Sequence, residues 1–276
     1  MIDRAARFRE LHEDGCFVLP NPWDPGSAVA LASLGFRALA TSSAALGFAL
    51  ARQDSPRAIE AKDALSNIET IVSATSLPVN ADFQNGYGRS ADEVFTNVRR
   101  CIETGVAGLS IEDATGDASQ PLFSMDDALD RVRAARAAVV ESGSDIVLTA
   151  RCEAFLVGID RPLEVALERL VAFAEAGADC LFAPDLRTSQ DISAVVAAVA
   201  PKPVNVLAAD PEWMTTRTLA DLGVRRISVG SALARVMWKQ FLIAAREIAE
   251  SGSFSGLANS EPFDALNAMF GEHHQS

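Results

Sequence analysis

Eight segments of strand-type sequence alternate with helix-type segments along nearly the whole chain, and this alternation limits the fold more than any other feature. The strand segments are 16–20, 37–42, 77–82, 107–112, 146–151, 179–183, 203–208 and 226–230. They are short and rich in Val, Ile, Leu and Ala, as strands buried on both faces are. Helix signals separate them. Ser90 and Glu93 have the spacing of a capping box that opens a helix over 91–104, with Gly105 just past its end. Ser124 opens a helix that Gly143 ends, and Asp160 with Pro162 opens one that Gly177 closes. Eight such units predict a (β/α)₈ TIM barrel rather than an open doubly wound sheet, and no Gly-x-Gly-x-x-Gly follows the first strand.

The barrel domain is assigned to residues 1–250, starting with a short polar helix over 1–14 and including a last helix over 231–249. Residues 251–276 then form a Ser/Gly-rich hinge and a short apolar helix around 262–270. Phe263, Leu266, Met269 and Phe270 make this tail too apolar for a free end, so it is expected to dock on its own barrel or on a second subunit.

The chain has 276 residues, 49% of them hydrophobic, enough for one barrel-sized core. Thirty-seven acidic residues against 24 basic ones give a net charge of −13, without a Lys/Arg cluster, which argues against nucleic acid as a partner. No apolar run reaches membrane-span length and the first residues carry no signal-type apolar region, so a cytoplasmic protein is expected. Cys16, Cys101, Cys152 and Cys180 lie in apolar segments without Cys-x-x-Cys spacing and read as reduced, buried thiols. His12, His273 and His274 are at the two ends of the chain, which disfavours a His-ligated metal or a Ser-His-Asp triad. The chemistry is therefore left to carboxylates, Arg and a hard metal.

In a β/α barrel, function gathers where strands run out into loops. Leu77 to Ala81 reads as a strand, and Gly86 and Gly88 supply the conformational freedom of the loop after it. Asp82, between them, is either a rim carboxylate or the start of a turn. Other strand ends offer Asn21, Trp23 and Asp24; Thr41, Ser42 and Ser43, with Asp54 beyond; Gln84; Glu112 and Asp113; Arg151 and Glu153; Asp185; and Asn205. Asp54 precedes Ser55-Pro56 and could simply start a helix. Glu112 and Asp113 point to opposite sides of their strand, so at most one faces the pocket. Arg151 favours binding of a substrate carboxylate or phosphonate, and Cys152 then points into the core. Asn205 needs a partner, from the backbone or a ligand. Oxygen ligands without His or Cys favour Mg²⁺, with Mn²⁺ as the alternative.

Thr41-Ser-Ser, Asp54, Asp82-Phe-Gln-Asn-Gly-Tyr-Gly, Ser110-Ile-Glu-Asp and Ala150-Arg-Cys-Glu-Ala-Phe together resemble the isocitrate lyase/phosphoenolpyruvate mutase superfamily, collinear over residues 15–245. The resemblance implies a barrel that often swaps its last helix within a homodimer or homotetramer, Mg²⁺, and an α-oxo acid handled through an enolate. It implies that Asp82 binds the metal directly while Asp54, Gln84 and Glu112 hold its waters. Ser42, Ser43 and Ala44 would receive the substrate carboxylate and Arg151 its other anionic end; Asp54, Glu112 and Arg151 form the catalytic set. Two positions depart from the family. Gln84 stands where a second Asp is usual, and the loop 114–123 lacks the Lys-Lys-Cys-Gly-His of the lyases, leaving Thr115, Asp117 and Ser119 as candidate proton donors. The expected activity is a Mg²⁺-dependent lyase on an α-oxo or α-hydroxy di- or tricarboxylate. Phosphonopyruvate mutase or hydrolase chemistry and an α-oxo-acid-binding barrel with little turnover are the alternatives.

Overall fold

The computed structural model describes residues 3–55 and 58–273; Met1, Ile2, Pro56, Arg57 and 274–276, His274 included, lie outside the described residues. Eight parallel strands follow one another around the sheet: β1 Phe17–Leu19, β2 Leu39–Ala40, β3 Val79–Asp82, β4 Gly108–Glu112, β5 Val147–Arg151, β6 Cys180–Phe182, β7 Val204–Leu207 and β8 Arg226–Ser228. The order β1-β8-β7-β6-β5-β4-β3-β2 places each beside its neighbours in sequence, as a barrel requires and a doubly wound sheet does not. At the β1–β2 seam the Ala40 N–H donates to Pro20 O at 3.0 Å, and the Asn21 side chain donates to Thr41 O at 2.8 Å. The same Asn21 accepts from the Val229 and Gly230 N–H groups, so one amide ties β1, β2 and β8 together.

Alternation along the strands creates two interiors. Outward-facing Val79, Leu109, Leu148, Leu181, Val206 and Ile227 pack beneath the helices in one large apolar layer. Inside the barrel, Phe17, Leu19, Ala38, Ala40, Val147 and Cys180 form a smaller core closed from below by Phe8 of α1 (Arg4–Glu10). Gly108 makes that plug possible: a Cβ there would stand 2.7 Å from the Phe8 ring and 2.8 Å from Asn80 Oδ1. Higher in the barrel the inward positions turn polar, with Asn80, Ser110, Thr149, Asn205, Arg226 and Ser228 all buried.

Most of the predicted helix ends hold. Ser90 accepts from Glu93 N–H to open α5 (Ala91–Glu103), but Glu93 accepts from Arg89 N–H rather than Ser90 N–H, so the box is one residue wide of its usual closure. Ser124 caps α6 (Met125–Ser142), and Gly143 ends it at φ +66°. Asp160 does not cap α7 (Pro162–Glu175); Arg161, left-handed at φ +51°, is the residue at that boundary. In the loop after β3, Gly86 takes φ +83° as expected, while Gln84 and Tyr87 are the other left-handed residues. Gly88 serves another purpose, since a Cβ on it would lie 2.6 Å from Val94 N.

The last barrel helix, α10 (Ala232–Ser251), buries only Ala234 and leaves Leu233, Val236, Met237, Phe241 and Ile243 exposed. After a 3₁₀ turn at Ser255–Asn259, α11 (Phe263–His273) lies against α2 (Pro25–Ser33) of its own chain, with Phe270 beside Gly26. Among the described residues no helix is long and apolar enough to cross a membrane.

Candidate active site

At the C-terminal mouth of the strands two adjoining cavities share Ser43, Asp54, Arg151 and Leu156. The deeper one, about 230 Å³, also takes in Ser42, Ala44, Asp82, Asn205 and Arg226 and reaches down the barrel axis. The outer one adds Gln84, Glu112, Glu153 and residues of the loop 114–123. Ser42, Ser43, Ala44, Asp54, Asp82, Gln84, Glu112, Arg151 and Asn205 thus all border these two cavities, and of the candidate proton donors Asp117 does so while Thr115 and Ser119 do not.

Asp82 ends β3 and is held from one side only. Its Oδ2 accepts from the Ser43 N–H at 2.8 Å and from the Ser43 hydroxyl at 2.9 Å. Ser43 can do this because β2 runs directly into α3 (Ser43–Ala49), which Ser42 caps by accepting from Ala45 N–H. Asp82 Oδ1 is buried and has no hydrogen-bond donor; Gln84 Oε1 is likewise bare. Arg151 Nη1 stands 3.5 Å from Asp82 Oδ1 and 3.4 Å from Glu112 Oε2, while Nε and Nη2 of the same guanidinium bind Glu153.

Strand parity sorts the acidic pair of β4 as expected. Glu112 faces the mouth, whereas Asp113 accepts from Glu153 N–H at 2.8 Å and pairs with Arg169 at 2.9 Å. Arg169 also donates to Phe123 O, anchoring the end of the loop 114–123. Within that loop Asp117 borders the outer cavity, and its Oδ1 accepts from the Ser119 N–H and hydroxyl. Cys152 is fully buried in the outer apolar layer. Asp54 does not start a helix, because α4 begins only at Ala61 and runs to Ser73.

Burial raises the Glu112 pKa well above the ordinary carboxylate value, with Arg151 opposing and the charges of Glu153, Asp82 and Asp54 adding to the rise. Solvent-exposed Asp54 is raised by partial desolvation and by Asp82, again against Arg151. Burial alone would lower the Arg151 pKa, but Glu153, Glu112 and Asp82 outweigh it and raise it. Four carboxylates thus crowd one cation.

Among the described residues no three His, Cys, Asp or Glu side chains are gathered tightly enough to ligate one ion together. A hard cation is nevertheless matched by what is present. Two buried oxygens lack donors, all neighbouring ligand atoms are oxygen, and the local charge is negative.

Residues 8–249 match the family model described as phosphoenolpyruvate phosphomutase. The chain belongs to that family. It is an enzyme of the isocitrate lyase/phosphoenolpyruvate mutase superfamily, as the sequence motifs imply. An oxaloacetate decarboxylase from Rhodopseudomonas palustris (strain BisB5) is 32% identical over 206 residues, 70% of this chain and 67% of its own. A Burkholderia cenocepacia crystal structure, assigned no further than a candidate lyase/mutase, superposes with a TM-score of 0.92 at 41% identity, covering 97% of this chain and 95% of that one. The crystal structure of a 2,3-dimethylmalate lyase gives a TM-score of 0.88 at 25% identity, covering 100% of this phosphomutase-family chain and 97% of its own.

Sequence reasoning passed over Arg226 and gave Glu153 no role. Arg226 is one of two adjacent arginines opening β8, and strand alternation alone turns one of them into the barrel. For Glu153 the signal was its i+2 spacing from Arg151 at a strand end.

Proposed function

We propose that the chain is a divalent-cation-dependent lyase that cleaves or decarboxylates a small α-oxo or α-hydroxy di- or tricarboxylate. The observation that carries this reading is Asp82 Oδ1, a buried carboxylate oxygen at a strand end with no donor of its own. Arg151 Nη1, 3.5 Å away, faces it with charge but makes no hydrogen bond, and a buried oxygen without a hydrogen bond costs about 1–3 kcal/mol, part of which a cation or an ordered water would recover. The all-oxygen surroundings favour Mg²⁺ or Mn²⁺, with Asp82 as direct ligand and Asp54, Gln84 and Glu112 holding its waters. When bound, such a cation would draw off the charge that develops on the α-oxo fragment as an enolate.

The protein's own groups then have distinct work. Ser42, Ser43 and Ala44 form the edge on which a substrate carboxylate sits. The Ser43 N–H is already committed to Asp82, so Ala44, whose N–H lies in the first turn of α3 without a helical acceptor, is the better backbone donor. Arg151 holds Glu112 and Asp82 together, its Nη1 standing 3.4 Å from one and 3.5 Å from the other. Leu156 and Phe182 shield the cavity from water. Asp117 is the loop group nearest the role of proton donor, since it alone of Thr115, Asp117 and Ser119 borders the outer cavity.

The oxaloacetate decarboxylase and dimethylmalate lyase relatives support a carboxylic-acid substrate, and the uncovered apolar face of α10 supports a homodimer or homotetramer. Incubation with Mg²⁺ and, in turn, oxaloacetate, a methylisocitrate-type acid and phosphonopyruvate is the test. Pyruvate with CO₂ or a second acid is the expected product, lost on Asp82→Ala. Phosphate release would transfer the reading to phosphonate chemistry, and no product from any of them would contradict it.

A further inference from the structure

Arg226 is a buried cation without a counter-ion. It is 2% exposed, yet all its partners are neutral: Nε donates to Asn205 Oδ1 at 2.9 Å, Nη2 to Thr149 Oγ1 at 3.0 Å, and Nη1 to His12 Nε2 at 3.2 Å. Among the described residues no carboxylate pairs with it. A guanidinium cannot escape by losing its proton, so an uncompensated one in a barrel interior carries a heavy desolvation cost. Burial accordingly lowers its pKa.

Arg226 lines the deeper cavity, together with Asn205 and Ser228. Three of the five guanidinium N–H groups are used by the contacts above, which leaves two. The Asn205 amide passes the polarisation on, donating to Ser228 Oγ at 2.9 Å, and since that oxygen accepts, its proton is free to point into the cavity. Arg151 is in the opposite situation. Its charge is already met by Asp82, Glu112 and Glu153, so it has little left for an incoming anion. Of the two arginines bordering the cavity, the deep one is electrostatically open.

We propose that the barrel interior below the carboxylate cluster is an anion subsite, with Arg226 as its charge and Ser228 as its donor, that receives the second carboxylate of a dicarboxylate whose first end lies at Ser42–Ala44. The proposal rests on the reading of the rim as a carboxylic-acid site, and it moves the receptor for the far anionic end from Arg151 to Arg226. Asn205 is then a positioning residue, acting through Ser228 and Arg226.

The experiment is calorimetric titration of oxalate, malonate, succinate and the monocarboxylate acetate, each with Mg²⁺, into wild type, Arg226→Met, Arg226→Lys and Asp82→Ala. Charge-assisted contacts of this kind predict that Arg226→Met weakens the best dicarboxylate by about 10- to 100-fold. Acetate affinity stays unchanged, and Arg226→Lys is affected less than Arg226→Met. Thermal unfolding is a second readout: a saturating dicarboxylate raises the melting temperature of wild type, and that rise is lost or reduced in Arg226→Met, whereas a merely structural Arg226 would lower the ligand-free melting temperature and leave the ligand-induced rise unchanged. Wild-type dicarboxylate affinity in Arg226→Met, or no dicarboxylate binding by wild type, overturns the subsite. Failure of the rim reading is separate: it shows as undiminished, Mg²⁺-dependent binding in Asp82→Ala.

Discussion

Ser43 grips a single oxygen of Asp82 twice, through its N–H at 2.8 Å and its hydroxyl at 2.9 Å, and leaves the other oxygen buried without a hydrogen-bond donor, 3.5 Å from Arg151 Nη1. The carboxylate is thereby fixed in rotation with one lone-pair set reserved. That arrangement, made by the junction of β2 with α3 against the end of β3, is the ground on which we propose Asp82 as a cation ligand rather than a cap.

Replacing Ser43 with Ala removes only one of the two bonds, and the backbone N–H still holds Asp82. A net hydrogen bond is worth about 1 kcal/mol, so divalent-cation affinity should fall by about fivefold, with the fold intact. Calorimetric Mg²⁺ titration reads this directly. No change would mean that Asp82 orientation does not govern the cation.

Arg151→Met leaves Asp82, Glu112 and Glu153 without their shared cation. Breaking a buried ion pair from one side costs about 3–5 kcal/mol, so urea unfolding at neutral pH should show a loss of that order. Millimolar Mg²⁺ should restore part of it by supplying charge at the same place. A variant as stable as wild type would show that the cluster is not held by Arg151.

Gln84→Asp adds a charge where the family usually has one. Its side-chain oxygen is already buried and without a donor. Mg²⁺ affinity should rise by about tenfold, about 1.4 kcal/mol, while the metal-free protein loses stability because a further carboxylate joins Glu112 and Asp82. Unchanged Mg²⁺ affinity would remove Gln84 from the cation's surroundings.

His12 gives a pH dependence of defined sign. Its Nε2 accepts from Arg226, so Nδ1 carries the proton and donates to Phe8 O at 2.8 Å. Burial, followed by the charge of Arg226, lowers its pKa from 6.5 to about 3. Between those values the unfolded chain binds the proton and the folded one does not. The contribution of neutral His12 is complete above pH 6.5 and is lost as pH falls toward 3, by at most about 1.4 kcal/mol per pH unit. Raised carboxylates such as Glu112 act in the opposite direction, so the quantity to measure is the difference between wild type and His12→Gln in urea unfolding from pH 7 to pH 4. That difference should change with pH; a constant offset would contradict a neutral His12.

The barrel was legible because parallel strands buried on both faces leave apolar runs and capped helices leave polar punctuation. Parity along the strand is enough to put Glu112 and Asp113 on opposite sides, and Glu112 is the one that lines the outer cavity. Strand ends were less legible: of the segment 37–42, β2 itself takes only Leu39–Ala40, since ladder length depends on the neighbours. Asp160 had the right chemistry for a cap, but the chain turns through left-handed Arg161 instead. Contacts across the barrel left no local trace. Arg226 meets His12 from 214 residues away, and nothing near either residue announces the other. Asn205 was expected to seek backbone or ligand and found Arg226 and Ser228, side chains that only barrel closure brings to it.

The most direct measurement is an electron paramagnetic resonance titration of Mn²⁺ into the wild-type protein and Asp82→Ala, with and without oxalate as a non-reacting mimic of an α-oxo acid. One Mn²⁺ per chain, bound more tightly with oxalate and lost on Asp82→Ala, is the predicted result. Equal Mn²⁺ binding by the two proteins, or binding indifferent to oxalate, would contradict a cation and a keto acid meeting at Asp82.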